Sequence, residues 1–281
     1  MLGLGNSLTG DFTGAGGPPF SLGLSGTNDY GYAAHHSSIK PTSAITVSSW
    51  VNLDAQYGGS GWTYVNPGGS NDHNQYIVGA IASGGYGLNV FYGGTEANPI
   101  VKIRAQVNVS EGGDGNGYLT CIWGGVVTST SSSALHEIKD LSGWVHLAMT
   151  YDGGVLRLYI NGSNDLNTGA VDTSDGQVDD SGVTGKSIVY DANTPVMIGA
   201  DAIGTGSSAH NITINGLIDE TAIWSTALDQ QAITKIYNNG AATINLTAAS
   251  GDYDNQASLQ GYWRFEEGTG TTVADSSSNS N

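Results

Sequence analysis

The sequence predicts an all-β domain of two packed antiparallel sheets with one short helix near residues 229–238. Two alternating apolar runs around Asp152-Gly153-Gly154 read as a β-hairpin. The 43 Gly and only 6 Pro, with 12% charged residues, suit many short strands joined by Gly, Ser, Thr and Asn turns. A 3.6-residue apolar period is read at one place, Ile233, Ile236 and Tyr237.

Residues 1–19, MLGLGNSLTGDFTGAGGPP, read as a flexible Gly-rich arm suited to docking onto a neighbouring subunit. Strand patterns begin with Leu24 and continue through Ile45 to Val51. Gln75 to Ala82, Tyr86 to Tyr92, Ile100 to Val109 and Leu119 to Thr128 extend the sheets, separated by Gly-rich turns such as Gly112 to Gly117. Asp172 to Gly185, rich in Asp, Ser and Gly, reads as a long solvated loop.

In the hairpin, Val145, Leu147, Met149 and Tyr151 share one face of the first strand, and Leu156, Leu158 and Ile160 share one face of the second. Asp152-Gly153-Gly154 tolerates the positive φ of a tight connection, and Asn161-Gly162 turns the chain again. Leu217, Ile218, Ala222, Ile223 and Trp224 then form an apolar strand. The helix after it starts either at a capping box from Thr226 to Asp229 or at Asp229 itself, and Asn239-Gly240 stops it. The sandwich is placed at 20–240, with 241–281 as an additional C-terminal segment.

The spaced residues Trp144, His146, Ala148, Tyr151-Asp152-Gly153, then Leu156, Leu158-Tyr159, Asn161-Gly162, then Gly216, Ile218-Asp219-Glu220, Ala227-Leu228, Ile233 and Ile236-Tyr237 resemble the laminin-G-like and pentraxin-like members of the concanavalin A-like lectin/glucanase superfamily. Leu24 to Tyr30 and Ile45 to Val51 resemble that family's early strands, so the resemblance covers roughly Phe20 to Gly240. It implies a jelly-roll sandwich. The fold hosts lectins, adhesion modules, enzymes and passive structural domains, so function has to be argued from residues. Gly261 to Ser277 resembles the segment that usually opens such a unit, yet here it comes last. A truncated second repeat, a circularly permuted edge strand and a strand donated to another subunit all remain open, with the latter two preferred because no second core could follow.

With 8 Lys+Arg against 25 Asp+Glu, the formal net charge is −17, which argues against nucleic acid and anionic membranes as partners. A solvated acidic surface and Ca²⁺ binding both fit this excess. Cys121 is the single cysteine, which rules out an intrachain disulfide and a cysteine-based zinc site; it reads as a half-buried strand residue. The start lacks the cationic and apolar regions of a secretory signal, and no run approaches the roughly 18 apolar residues of a membrane helix. An extracellular type of domain without an export signal suits a virus particle, made in the host cytoplasm and released by lysis. Met1 to Leu8 resembles the start of structural proteins of marine tailed bacteriophages.

Glucanases of this fold place two carboxylates about 5 Å apart across the scissile bond. Glu111 with Asp114 lies in a Gly loop, and neighbours such as Asp219-Glu220 and Glu266-Glu267 would point to opposite faces of a regular strand. By resemblance, Asp219-Glu220 occupies a fold-signature position. His146 is expected to make a structural hydrogen bond, and none of the six histidines is assigned to catalysis. Catalytic residues: none.

The resemblance to pentraxin-like proteins implies Ca²⁺ as cofactor, held by acidic and amide oxygens from loops. Asp72 and Asn74, ahead of the strand from Gln75, match the first ligand loop, and Asp201 sits where a later one begins; the dense acidic cluster expected after Gly199 is missing. For glycans, Tyr57, Trp62, Tyr64, Tyr86 and Tyr92, in or beside Gly-rich loops, offer flat faces to sugar rings, Trp62 foremost. Trp50, Trp144 and Trp224 follow strand patterns and are placed in the core.

The expected function is that of a non-enzymatic virion surface protein, a decoration, fibre or appendage subunit with weak glycan adhesion. Its partners would be further copies or other virion proteins, reached through both terminal segments. A calcium-dependent lectin or carbohydrate-binding module of a microbial surface protein is the alternative, and a glycan-cleaving enzyme the third.

Overall fold

A computed structural model describes residues 2–4, 20–25, 29–53, 73–81, 84–95, 98–109, 118–126, 143–164, 178–179, 186–191, 193–202, 209–240 and 244–281. Its strands are β1 (Leu2–Leu4), β2 (Leu22–Ser25), β3 (Gly31–Ala33), β4 (Ile45–Leu53), β5 (His73–Ile81), β6 (Gly85–Thr95), β7 (Asn98–Asn108), β8 (Tyr118–Val126), β9 (Val145–Tyr151) and β10 (Leu156–Ile160). After these come β11 (Val178–Asp179), β12 (Val196–Ile198), β13 (Ala200–Ala202), β14 (Ala209–Thr213), β15 (Asn215–Trp224), the helix α1 (Gln230–Tyr237), β16 (Leu259–Trp263) and β17 (Thr272–Val273).

The hairpin β9–β10 pairs from Leu156↔Tyr151 to Ile160↔Leu147. Its turn is fixed by Asp152, whose carboxylate accepts the amides of Gly154 and Val155 and the Arg157 guanidinium, while Gly153 takes φ +93°. β9 continues onto β4, β4 onto β15, and the far side of β15 is shared: β2 pairs with its first half and β16 with its second. With β11 outside β10, this forms one antiparallel sheet in the order β11-β10-β9-β4-β15-β16. The facing sheet runs β17-β1-β3-β12-β5-β6-β7-β8, and β13–β14 make a small ribbon. Two antiparallel sheets and one short helix constitute the two-sheet sandwich that the sequence predicts.

Alternation explains why one sheet serves two packing layers. From β4, β9 and β15, the side chains of Val47, Val51, Leu147, Met149, Ile218 and Ile223 enter the layer between the sheets, where Tyr86, Leu88, Val90 and Ile103 meet them. Their sequence neighbours Ala148, Ala222 and Trp224 face outward and pack with Leu228, Ile233, Ile236, Leu246, Tyr253 and Tyr262. The helix and the segment 244–253 therefore roof the outer face of one sheet.

Two short strands lie where loops or an arm are expected, and one open alternative is selected. Leu2–Leu4, within the expected arm 1–19, is a strand between β3 and β17: alternating Leu and Gly can complete an open sheet edge. Within the expected loop 172–185, Val178 and Asp179 pair with Arg157 and Leu156. Leu259–Trp263 pairs within its own sandwich, from Trp224↔Leu259 to Thr221↔Trp263. Cys121 lies on β8 opposite Ala105.

Candidate functional site

A bulge in β15 organises the outer face of the roofed sheet. Asp219 pairs with Trp50 and Ala222 with Ser48, so Glu220 and Thr221 together oppose Ser49. Glu220 sits at φ +47°, left-handed backbone that a side chain rarely adopts. The extra residue shifts the alternation: Thr221 turns inward to Ser49 Oγ at 2.9 Å, while Glu220 turns outward to line a crevice with Trp50, Ile236, Ile244 and Leu246. The expectation that Asp219 and Glu220 point to opposite faces is thereby corrected, since Asp219, opposite Trp50, belongs to the same outer side.

On the other side of β4, Trp50 pairs with His146 of β9. His146, Trp50 and Asp219 thus form a row across three strands, with the Trp50 and His146 rings 5.2 Å apart between centroids. Tyr237 closes the row from above, stacked on Trp50 at 5.7 Å and 25° and lying 6.2 Å from His146.

The helix that brings Tyr237 there is anchored at its N-terminus and along one flank. Asp229 is its N-cap and accepts the Ala232 amide at 2.8 Å. The Asn161-Gly162 turn grips its flank: Asn161 Oδ1 accepts the His146 amide at 3.0 Å, and the Gly162 carbonyl accepts Gln230 Nε2 and Thr234 Oγ1. Gly162 has φ +77°, and a Cβ there would lie 2.9 Å from Tyr237, so a glycine is required.

Across the β15–β16 pair, the Glu220 carboxylate accepts the Tyr262 hydroxyl and, at 3.3 Å, Arg264 Nε; Arg264 also reaches Glu266 at 3.6 Å. Burial raises the Glu220 carboxyl above the usual range, opposed by the Tyr262 hydrogen bond and the Arg264 charge. Burial first, and the Glu220 charge second, push Asp219 up to about 9. Tyr262 is driven far above the ordinary tyrosine range by burial and by Glu220, so it remains a donor.

His146 is lowered to about 3 by burial and stays neutral. Its expected structural hydrogen bond is corrected, because neither ring nitrogen finds a partner among the described residues; the ring is held by aromatic packing. Both Asp219 oxygens and Trp50 Nε1 share that condition.

This chemistry is sealed. Asp219 is 0% and Glu220 3% exposed, and the helix with residues 244–253 lies above them. The neutral acid and the neutral imidazole are buried without a polar partner among the described residues, while the Glu220 carboxylate, held by Tyr262 and Arg264, ties β15 to the end of β16. Sequence reasoning missed the partners Tyr262 and Arg264. Their signal was available as an i, i+2 spacing, which puts both on one side of an extended chain beside an acidic strand.

Tyr86, expected as a glycan platform, is instead a core residue: 0% exposed, its hydroxyl donates to the Ile39 carbonyl at 3.0 Å, and its ring meets Tyr190 edge-on at 6.0 Å. The reason is register, since Tyr86 shares a face with Leu88 and Val90 and that face meets the other sheet. Tyr92 lies on β6 opposite His73, and Tyr57, Trp62 and Tyr64 lie outside the described residues.

Of the Ca²⁺ candidates, Asp72 lies outside the described residues. Asn74 is within β5, not in a loop before it, because pairing with β6 extends that strand to His73. Asp201 is likewise within β13 and not in a loop, as β13 is paired to β14. β12 pairs with β5 at Met197↔Gly79 and Ile198↔Val78, and β13 continues beside β5 toward its start, which brings the backbones of Asp201 and Asn74 into one region. Among the described residues no group of three His, Cys, Asp or Glu is placed to hold a metal ion.

A family model described as the concanavalin A-like lectin/glucanases superfamily matches residues 25–234. No curated protein matches the chain in sequence. Among solved structures, a provisionally assigned carbohydrate binding protein from Bacteroides ovatus aligns over 89% of this chain and 53% of its own, with 14% identity and a TM-score of 0.47. Tailspike protein 2 of bacteriophage CBA120, in its enzymatically active domain, aligns over 88% and 30%, with 13% identity and a TM-score of 0.47. A heptameric SAP-like pentraxin from Limulus polyphemus aligns over 85% and 86%, with 13% identity and a TM-score of 0.39. The chain thus spans about half the length of the Bacteroides protein and under a third of the tailspike.

Proposed function

We propose, from the premise that this chain belongs to the concanavalin A-like lectin/glucanase superfamily, that it is a non-catalytic surface module combining subunit assembly with weak glycan adhesion. One observation carries the non-catalytic part: the adjacent acids of β15 are buried under α1, and Glu220 is engaged from β16 by Tyr262, with Arg264 just beyond that strand. A glycosidase needs its acid and its nucleophile or base at a site that admits a sugar. Weak single-site adhesion becomes useful when many copies act together, which suits a decoration, fibre or appendage subunit. The proposed setting is the exterior of a virus particle, with other copies or other virion proteins as partners.

The deciding experiment is a glycan array with the chain displayed multivalently, beside an assay for reducing ends released from the polysaccharides that bind. Binding without release is expected, with Trp62→Ala weakening it. Release that disappears in Asp219→Asn or Glu220→Gln would overturn the reading, because it would mean that the buried pair opens to substrate.

A calcium-dependent lectin is the second reading, favoured by the placement of Asn74 and Asp201 on neighbouring strand segments. It expects heat on calorimetric Ca²⁺ titration and a thermal shift lost in Asp201→Ala. Neither signal in the intact chain would dispose of it.

A further inference from the structure

The edge of β16 facing away from β15 is closed by the chain itself. Tyr262 N donates to Asp275 Oδ1 at 2.8 Å, and Ser276 N donates back to the Tyr262 carbonyl at 2.8 Å. Two residues earlier, the Gln260 carbonyl accepts Ser277 Oγ at 3.0 Å and the side-chain amides of Asn279 and Asn281 at 3.1 and 2.6 Å. Asp275 also organises the cap. Its carboxylate accepts the amide and hydroxyl of Ser277 and both the backbone and side-chain amides of Asn281, each at 2.8 Å. The Gln260 carbonyl and both backbone groups of Tyr262 point outward, so Ser276 N and side chains from 275–281 take up the bonds another strand would make.

Leu259-Gln260-Gly261-Tyr262-Trp263 carries no charge and no proline, the usual devices that keep an edge strand from pairing with another chain. An antiparallel edge is moreover complementary to its own copy about a two-fold axis, which makes a second copy of this chain the natural occupant if the cap leaves.

We propose that residues 275–281 are an edge plug whose function is to keep β16 closed to strand addition by a second copy of this chain. The proposal is independent of glycan recognition, and its test reads association only.

Asp275→Ala in the full chain removes the centre of the cap, and deletion of 275–281 removes all of it. Light scattering across a concentration series is expected to give reversible self-association beyond that of the intact chain, about twofold in mass for a two-fold pair. Adding Gln260→Pro, a residue that keeps edge strands from pairing, is expected to abolish the added association. Variants that fold, by near-ultraviolet circular dichroism, and keep the intact chain's mass would overturn the proposal. So would loss of the fold in both, which would make the segment part of the core, or association that survives Gln260→Pro, which would place the contact elsewhere.

Discussion

Tyr262 donates its hydroxyl to the Glu220 carboxylate, fastening β16 to the one non-glycine position in β15 where the backbone turns left-handed. The bulge and the late strand depend on each other, because without Tyr262 the outward-turned carboxylate would keep only Arg264, whose side chain is 42% exposed.

Tyr262→Phe is therefore expected to destabilise by about 1.5–3 kcal/mol, the range for a buried hydrogen bond to a charged group. Arg264→Ala is expected to cost less, since solvent screens a partly exposed ion pair. Urea unfolding checks both, with a lower midpoint and unchanged slope. Equal losses would refute the ranking.

Asp219 and His146 set the pH dependence of stability. His146 is lowered from 6.5 to about 3, so the unfolded chain binds the proton more tightly and stability rises between those values. Asp219 is raised from 3.8 to about 9, so its contribution is fully present below 3.8 and is lost as pH climbs toward 9. The two oppose each other between 3.8 and 6.5; above 6.5 the His146 contribution is complete and Asp219 lowers stability by about 1.4 kcal/mol per pH unit, in the same direction as the raised Glu220. Asp219→Asn is expected to flatten the curve between pH 6.5 and 9 and to exceed the parent at pH 8, as denaturation at several pH values would reveal.

Gly162→Ala is expected to lose about 1–3 kcal/mol, because a side chain there is strained at φ +77° and meets Tyr237 at 2.9 Å. Displacing Tyr237 unstacks Trp50, so an altered Trp emission should accompany the loss. Asp229→Ala, which removes only the helix cap, is expected to cost about 1 kcal/mol and leave that emission unchanged.

Tyr86→Phe deletes the hydroxyl that reaches Ile39 and is expected to cost about 0.5–1.5 kcal/mol. Glycan binding should be untouched. A variant of normal stability with weakened binding would return Tyr86 to the surface role that its burial denies.

Strand pairs and the helix were legible because their signals are local. The hairpin followed from alternation around Asp152-Gly153-Gly154, and the helix from the spacing of Ile233, Ile236 and Tyr237. Between the two offered caps the structure selects Asp229. The site was less legible because a bulge is one residue of slip against a partner strand, and nothing in Ile218-Asp219-Glu220-Thr221 announces which neighbour stands opposite. Tyr86 was misread for a related reason: aromatic residues beside glycines serve loops and pleated interiors alike, and only the facing sheet decides between them.

β2 and β16 lie end to end along one side of β15, although residues 22–25 and 259–263 are far apart in sequence. A ribosome would therefore deliver β15 with half its flank already matched and the other half waiting until Trp263 had emerged. Trp224↔Leu259 closes a far shorter loop than the β2–β15 pairing does, so β16 should dock readily once it has emerged, and the nascent sheet would be most exposed to misassociation just before it.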